Sequence, residues 1–392
     1  MALSELGDFN RGKSKHRPRN DPKLFQNGIY PFIQTGDIKE ANLYLDCHTE
    51  NYNEFGLKQS KLWKENTLCI TIAANIAETA LLKYPMCFPD SVVGFTAYEG
   101  VSSELFMHYI FTFIKKSIQS AASGSIQDNI NIDFLTKLKF RIPSKIEQDK
   151  IAAVLSALDK KIALNKQINA RLEEMAKTLY DYWFVQFDFP DANGKPYKSS
   201  GGEMVFDETL KREIPKGWEV KSLGDWAEIR KGTLITEKTA NTNGDIKVIS
   251  AGVDFSYYHD VANRPKNTIT ISASGANAGF VNFWREPIFA CDCTTITNSV
   301  IGRTLYILNF LKIVQDFIYQ QARGSAQPHV YPKDIEGLKI IVPPDSLLKK
   351  FSEFVDNWNL KIANNEKQNH QLTQLRDFLL PMLMNGQVSV AE

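Results

Sequence analysis

The chain has 392 residues, 43% of them hydrophobic, with 46 basic against 45 acidic side chains. This is material for two or three domains of ~100–200 residues, and the balanced charge excludes a polycation that would hold nucleic acid by its bulk charge alone. Five cysteines without a CxxC pair argue against a zinc ribbon or a disulfide framework. Met1–Arg19 has no apolar signal core and no apolar run reaches the ~18 residues of a membrane span, so a reducing, cytoplasmic setting is expected.

Taken in chain order, the first feature is Gly7–Ser14 (GDFNRGKS), which fits the phosphate-loop pattern GxxxxGK[ST]. That chemistry needs a helix after the loop, and Pro18 and Pro22 forbid one, so a nucleotide site is rejected. The same stretch concentrates Arg11, Lys13, Ser14, Lys15, His16, Arg17 and Arg19. Such a run is either a solvated basic tail or a loop that contacts DNA phosphates and base edges. Phe32–Gln34 and the β-branched run Asn66–Ala73 read as strands. From about Ile146 to Phe184 an apolar seam (Ile151, Leu155, Leu158, Ile162, Leu172, Met175, Leu179, Tyr182) predicts a long helix, with Ser144 and Glu147 as its capping box.

Residues 187–216 are rich in Pro, Gly and Ser and read as a linker. Beyond it Lys231 and Thr233 flank a glycine, and Val248–Ser250 and Asn267–Ala273 are strand-like. Ser272, Ser274 and Asn277 fall in a Gly/Ala-rich turn where backbone can approach a ligand, which makes them DNA-contact candidates. A second long helix is predicted from about Ser346 to Met384, with the seam Phe351, Val355, Trp358, Ile362, Leu372, Leu375, Leu379 and Met382.

These elements recur. Gly124-Ser125-Ile126-Gln127 returns as Gly324-Ser325-Ala326-Gln327, Leu138 and Pro143 as Leu338 and Pro343, and Asn165 and Asn169 as Asn365 and Asn369, all 200 residues later. Asn66 returns as Asn267 at an offset of 201 and Leu6-Gly7-Asp8 as Leu223-Gly224-Asp225 at 217, so the first copy holds about 17 extra residues near its start. A period this long exceeds solenoid units of ~50 residues and implies two domains of one architecture. Gln127 and Gln327 are either DNA contacts or hydrogen bonds closing their own loops. The α+β organisation expected is a β-rich domain at 1–143, a helix at 144–186, a linker at 187–216, a second β-rich domain at 217–344 and a helix with its tail at 345–392.

No reaction is visible. The tetrad of an amino-methyltransferase is missing, since Pro343-Pro344 is preceded by Val342 and followed by Asp345. No PD pair is followed by (D/E)xK within about twenty residues, and the six histidines show no metal-ligand spacing.

On these residues the chain resembles the specificity subunit of a type I DNA restriction–modification enzyme. The likeness is carried by Ile214–Trp218 (IPKGW), Leu223–Thr233 (LGDWAEIRKGT), Ile146–Phe184 and Leu379–Val388 (LLPMLMNGQV). It implies two similar target recognition domains separated by an antiparallel pair of helices, each domain reading one half of a split, asymmetric double-stranded DNA site. It also implies no catalysis by the chain itself. Two modification subunits would bring S-adenosylmethionine, and motor-nuclease subunits would bring ATP and Mg²⁺. Trp183, Phe184, Phe378 and Met382, near the helix ends, are the apolar candidates for docking those partners. One departure is that the first copy lacks the IPKGW-like lead, so its first strand is expected to lack a neighbour. The rival readings are a single-chain DNA-acting enzyme with duplicated domains and a coiled-coil scaffold with no DNA role.

The four asparagines interrupt the two seams at the same place, and an Asn there fixes register because it needs a polar partner. Antiparallel packing about a local two-fold sets Asn165 near Asn369 and Asn169 near Asn365. At ~1.5 Å per residue each helix spans roughly 55 Å, so the half-sites are expected on one face of the duplex with an unread spacer between them.

Overall fold

The computed structural model describes residues 1–73, 75–123, 136–298, 300–322 and 328–390. The repeated Gly-Ser-x-Gln segments, with Gln127 and Gln327, fall outside these residues. The chain forms two units: Met1–Lys166 with Lys367–Glu392, and Gln167–Glu366. Both long helices therefore contribute to both units.

In the first unit the strands are β1 (Gly7–Arg11), β2 (Tyr30–Phe32), β3 (Tyr44–Leu45), β4 (Glu50–Tyr52), β5 (Leu62–Trp63), β6 (Leu68–Thr71), β7 (Thr79–Leu82), β8 (Met86–Cys87) and β9 (Val92–Ala97). They make a five-stranded sheet in the order β1-β9-β6-β7-β3 and a four-stranded sheet in the order β4-β2-β8-β5. Strand alternation divides the core into two layers. Leu68, Ile70, Leu81, Val93 and Phe95 face the helix Glu104–Ser123 through Phe106, Ile110 and Phe111. Cys69, Ala80, Leu82 and Val92 point the other way, onto Trp63, Met86 and Phe88 of the second sheet. Covered on both faces, β6 and β7 are buried throughout, which is why the sequence of each shows a nearly continuous apolar run with a threonine at one end instead of an alternation.

The second unit has β10 (Met204–Asp207), β11 (Arg212–Pro215), β12 (Glu219–Ser222), β13 (Glu228–Lys231), β14 (Ile246–Ile249), β15 (Tyr257–His259), β16 (Thr268–Ser272), β17 (Val281–Trp284), β18 (Ile288–Ala290), β19 (Cys293–Thr297) and β20 (Lys339–Val342). Its larger sheet, β13-β19-β16-β17, repeats β1-β9-β6-β7, antiparallel throughout. Its smaller sheet sets β14 parallel to β18, as β2 is parallel to β8. The equivalence reaches single residues: Asn66 and Asn267, each just ahead of the matching strand, both hold φ at 62°. The extra strand β3 of the first unit lies within the segment that the second copy lacks. Thus the chain is an α+β protein built from two copies of one architecture.

Residues 187–216, expected as a linker, fold. β10 and β11 pair as a hairpin, Phe187 and Ile214 are buried in the second core with Trp218, and Phe189 stacks between Tyr197 and Trp218. The composition misled because its glycines serve tight turns: Gly194 and Gly201 both have φ above +70°. At the N-terminus, the first strand does find a neighbour: Leu3 N donates to Leu138 O (3.1 Å), and Phe140 N to Met1 O (3.0 Å). This is a shorter version of the β12–β20 pair.

The long helices run Lys145–Tyr180 and Asp345–Met384, and the first continues as a π-helical turn, Asp181–Val185. The capping box is present, with Ser144 N donating to Glu147 Oε2 at 3.0 Å. Within each unit the two helices run antiparallel. In the first unit Asp159 bonds Arg376 and Asn165 bonds Asn369; in the second Asn169 bonds Asn365 and Phe184 meets Phe351. The distances are 2.9 Å from Asn165 Nδ2 to Asn369 Oδ1 and 2.8 Å from Asn365 Nδ2 to Asn169 Oδ1. Three seam positions were misplaced. Met175, Tyr182 and Leu375 are exposed, while Tyr180, Leu380 and Leu383 are buried in their stead. The apolar stripe drifts one position around each helix, as 3.6 residues per turn requires over this length.

Candidate DNA interface

In each unit the chain leaves the first strand of the larger sheet through a glycine. Gly12 N donates to Val92 O and Gly232 N to Cys293 O, both at 2.8 Å. A Cβ at Gly12 would lie 2.2 Å from Pro89 O, and one at Gly232 would lie 2.0 Å from Cys291 O. Backbone crosses backbone at both points, so only glycine fits, and the loop that follows is launched from the same place in each copy.

In the first unit this loop is a built structure and not a tail. Lys15 N and His16 N both donate to Gln59 Oε1, at 2.6 and 3.0 Å, and Ser60 Oγ donates to Lys13 O. His16 Nε2 sits 2.8 Å from Asp21 Oδ2. The Lys23 backbone N–H and then His16 hold the Asp21 carboxyl below its ordinary range. Arg17 Nη1 donates to the carbonyls of Ser14 and His16, and Arg19 pairs with Asp90 at 2.7 Å. Two of the basic side chains are thus spent on shaping the loop.

Lys13 and Lys15 are exposed and have no described partner, and exposed Lys58 and Lys61 flank Gln59 in the chain. Phe55, half exposed, meets the His16 ring edge at 5.5 Å. Ser14 was a candidate contact, but it is buried beneath the loop. The residues that match the phosphate-loop pattern form β1 and an irregular turn, with no long helix after them.

The corresponding loop of the second unit begins at Lys231. Its carbonyl accepts from Arg264 Nη2 at 2.8 Å, and Arg264 Nε donates to Thr295 Oγ1. Thr233 is exposed, and Leu234 stands 77% exposed beside it. An apolar side chain this bare on a loop can meet a thymine methyl; a leucine carries no mark of this in the sequence, where it reads as core material. Ser272 and Ser274 are corrected: both are buried, with Ser272 Oγ donating to Ala251 O (2.8 Å) and Ser274 Oγ to Asp292 Oδ2 (2.5 Å). Their hydroxyls close the turn, because a loop packed on its own sheet must satisfy its polar groups internally. Asn277 alone of that group is exposed.

The docking candidates divide in the same way. Trp183 and Phe184 are buried, since the π-helical turn aims them at Phe351, Tyr306 and Trp218. Phe378 is 62% exposed and Met382 partly so. Exposed Met175 and Tyr182 border an open groove with Trp358 in the second unit. Four of the five cysteines are buried and Cys47 is exposed. Among the described residues no cluster of His, Cys, Asp or Glu has the makings of a metal site, and no helix is long and apolar enough to cross a membrane.

Two copies of one domain, each presenting a glycine-launched polar loop and each packed on a shared helix pair, define a class of duplicated recognition proteins. The family is given by comparison: residues 1–174 and 215–374 match the type I restriction modification DNA specificity domain. The chain belongs to that family and carries its domain twice. It is 27% identical to the type I restriction enzyme MjaIX specificity subunit of Methanocaldococcus jannaschii, over all of this chain and 93% of that protein. It is 24% identical to the HindI specificity subunit of Haemophilus influenzae, over 98% of each. In fold it resembles the crystal structure of a type I restriction–modification S subunit from M. genitalium, with a TM-score of 0.60 at 18% identity, covering 98% of this chain and 95% of that one. The chain is thus a DNA-specificity subunit of a type I restriction–modification system, non-catalytic by itself.

Proposed function

We propose that the domains at 1–143 and 217–344 each read one half of a bipartite, asymmetric duplex site, through the loops that follow Gly12 and Gly232. The single observation that carries this reading is the shared launch point. The same backbone crossing fixes both loops, yet their side chains differ: lysines and a histidine in one, Thr233 and Leu234 in the other. A conserved mount with different tips is what reading two different half-sites requires. The chain would also scaffold two modification subunits and the motor-nuclease subunits, with exposed Phe378, Met382, Met175 and Tyr182 on the helices as contacts. S-adenosylmethionine, ATP and Mg²⁺ would belong to those partners.

The test is a K13A/K15A variant in the assembled methyltransferase. Each lost phosphate contact is expected to lower the slope of log K against log salt by about one. An unchanged affinity and slope would remove this loop from the interface. A rival single-chain enzyme is tested by incubating the purified chain with plasmid, Mg²⁺ and S-adenosylmethionine; cleavage or methyl transfer by the chain alone would favour it.

A further inference from the structure

Arg285 follows directly after β17 and is 9% exposed. Its guanidinium spends three donors on three acceptors of the long helices: Nε on Asn359 Oδ1 (2.9 Å), Nη1 on Glu366 Oε1 (2.8 Å) and Nη2 on Glu173 Oε1 (2.8 Å). Asn359 is itself fixed from the other side, since its Nδ2 donates to Asn267 Oδ1 at 3.1 Å, at the mouth of β16. One side chain of the second β-rich domain thus grips both helices at once. A planar fork with directional donors sets an angle as well as a distance, which a lysine cannot do.

The first unit lacks this device at the equivalent place. Strand register aligns Trp284 with Leu82, so Arg285 corresponds to Lys83. Lys83 is exposed and lies over the Tyr44 ring at 5.1 Å. The counterparts of the three acceptors, 200 residues away, are Asp159, Lys166 and Thr373. They line a cavity of about 340 Å³ together with Asn42 and Arg376. Where the second unit has a filled clamp, the first has an open polar space. There the helices are tied to the domain by separate bonds: Tyr109 of the domain donates to Asp159, which also accepts from Arg376, and Lys166 Nζ donates to Asn42 Oδ1 of the domain at 2.8 Å.

We propose that Arg285 is a positioning residue that sets the angle at which the second recognition domain is presented to DNA, and so determines which spacer length between half-sites is accepted. This rests on the bipartite reading above. Loss of the clamp leaves the loop after Gly232 intact, so the bases read stay the same while the tolerated spacing broadens.

The experiment uses the assembled methyltransferase, on duplexes carrying the half-sites mapped from host methylation with the native spacer or with one base pair added or removed. R285A, and separately E173M/E366M, which removes both carboxylate acceptors while keeping side chains of similar length, are the variants; R285K tests the fork. The preference for the native spacer is expected to fall at least tenfold in both, with half-site sequence unchanged and R285K in between. A preference that stays as sharp as wild type, or a uniform loss at all spacers, overturns the proposal; should R285A not fold, E173M/E366M decides alone. If the unmodified assembly methylates no bipartite site, the reading of function fails instead, which is a different result.

Discussion

Arg376 is the place to test what holds the first domain to the helix pair. Its Nη1 donates to Asp159 Oδ1 at 2.8 Å, and Tyr109 Oη donates to the other carboxylate oxygen at 2.7 Å. The Asp159 side chain is only 10% exposed and that of Arg376 26%. Replacing Arg376 with Met keeps most of the packing and removes the charge, leaving a nearly buried carboxylate with a single donor. Breaking a buried pair costs about 3–5 kcal/mol. The partial exposure of Arg376 sets the expectation at the lower end, about 3 kcal/mol, because solvent screens part of what is lost. For a domain of 150–250 residues that corresponds to a fall in Tm of roughly 6–12 °C. D159L is expected to cost about 2 kcal/mol, since Arg376 retains Asp377 at 2.8 Å. The triple variant Y109F/D159L/R376M is expected to recover at least half of the loss, as apolar replacements of whole buried networks do. Urea denaturation with matched m-values measures all three. A loss below 1 kcal/mol for R376M, or a triple variant no better than the singles, would show that the network does not join the helices to the domain.

Three further outcomes are expected. Burial depresses the His108 imidazole from its ordinary 6.5 to about 4, so the folded chain keeps it neutral while the unfolded chain protonates it. Stability is therefore lost as pH falls from 6.5 towards 4, by about 3 kcal/mol in all, and H108Q is expected to flatten that decline in urea titrations run from pH 7.5 to 4.5. G12A and G232A each force a Cβ into a carbonyl oxygen and are expected to cost about 1–3 kcal/mol and to weaken DNA binding by the assembly, read by calorimetry and electrophoretic shift. N365L strands the Asn169 amide and is expected to cost about 1–2 kcal/mol, while N169L/N365L recovers it but permits slipped or self-associated helices, visible in sedentation-velocity profiles as added mass.

The duplication, the α+β class and the two long helices were legible because each leaves a periodic mark: repeated tetrads, β-branched runs and heptad-like steps. Pairing of the four asparagines followed from their equal spacing in two helices. The side-chain roles were less legible, for definite reasons. Ser272 and Ser274 share the composition of ligand-binding turns, yet burial turns their hydroxyls to Ala251 and Asp292. Trp183 and Phe184 resemble an exposed apolar end until the π-helical turn rotates them inward, and no seam count contains that rotation. The basic run shows its charge in the sequence, but the division of labour between Arg19, spent on Asp90, and Lys15, left facing solvent, depends on a residue 71 positions away. Arg285 left no mark at all, because its partners Glu173 and Glu366 are distant in sequence and unremarkable on polar helix faces.

The two copies agree at the positions that fix backbone and register. The crossing at Gly12 and Gly232, the left-handed Asn66 and Asn267 and the asparagine pairs are shared, and each fixes backbone or register, where a change would misplace everything beyond it. Loop tips and domain clamps differ. On the proposed reading, the different tips serve different bases. The clamps differ as well: the second unit has an arginine clamp and the first an open polar cavity at the matching place. On this view an arginine placed at Lys83, with Lys166→Glu to receive it, transfers the stiffer mount to the first domain. The expected signature is a sharper dependence of methylation on spacer length with the same half-sites read. A spacer profile unchanged by K83R/K166E would mean that the clamp is packing and nothing more.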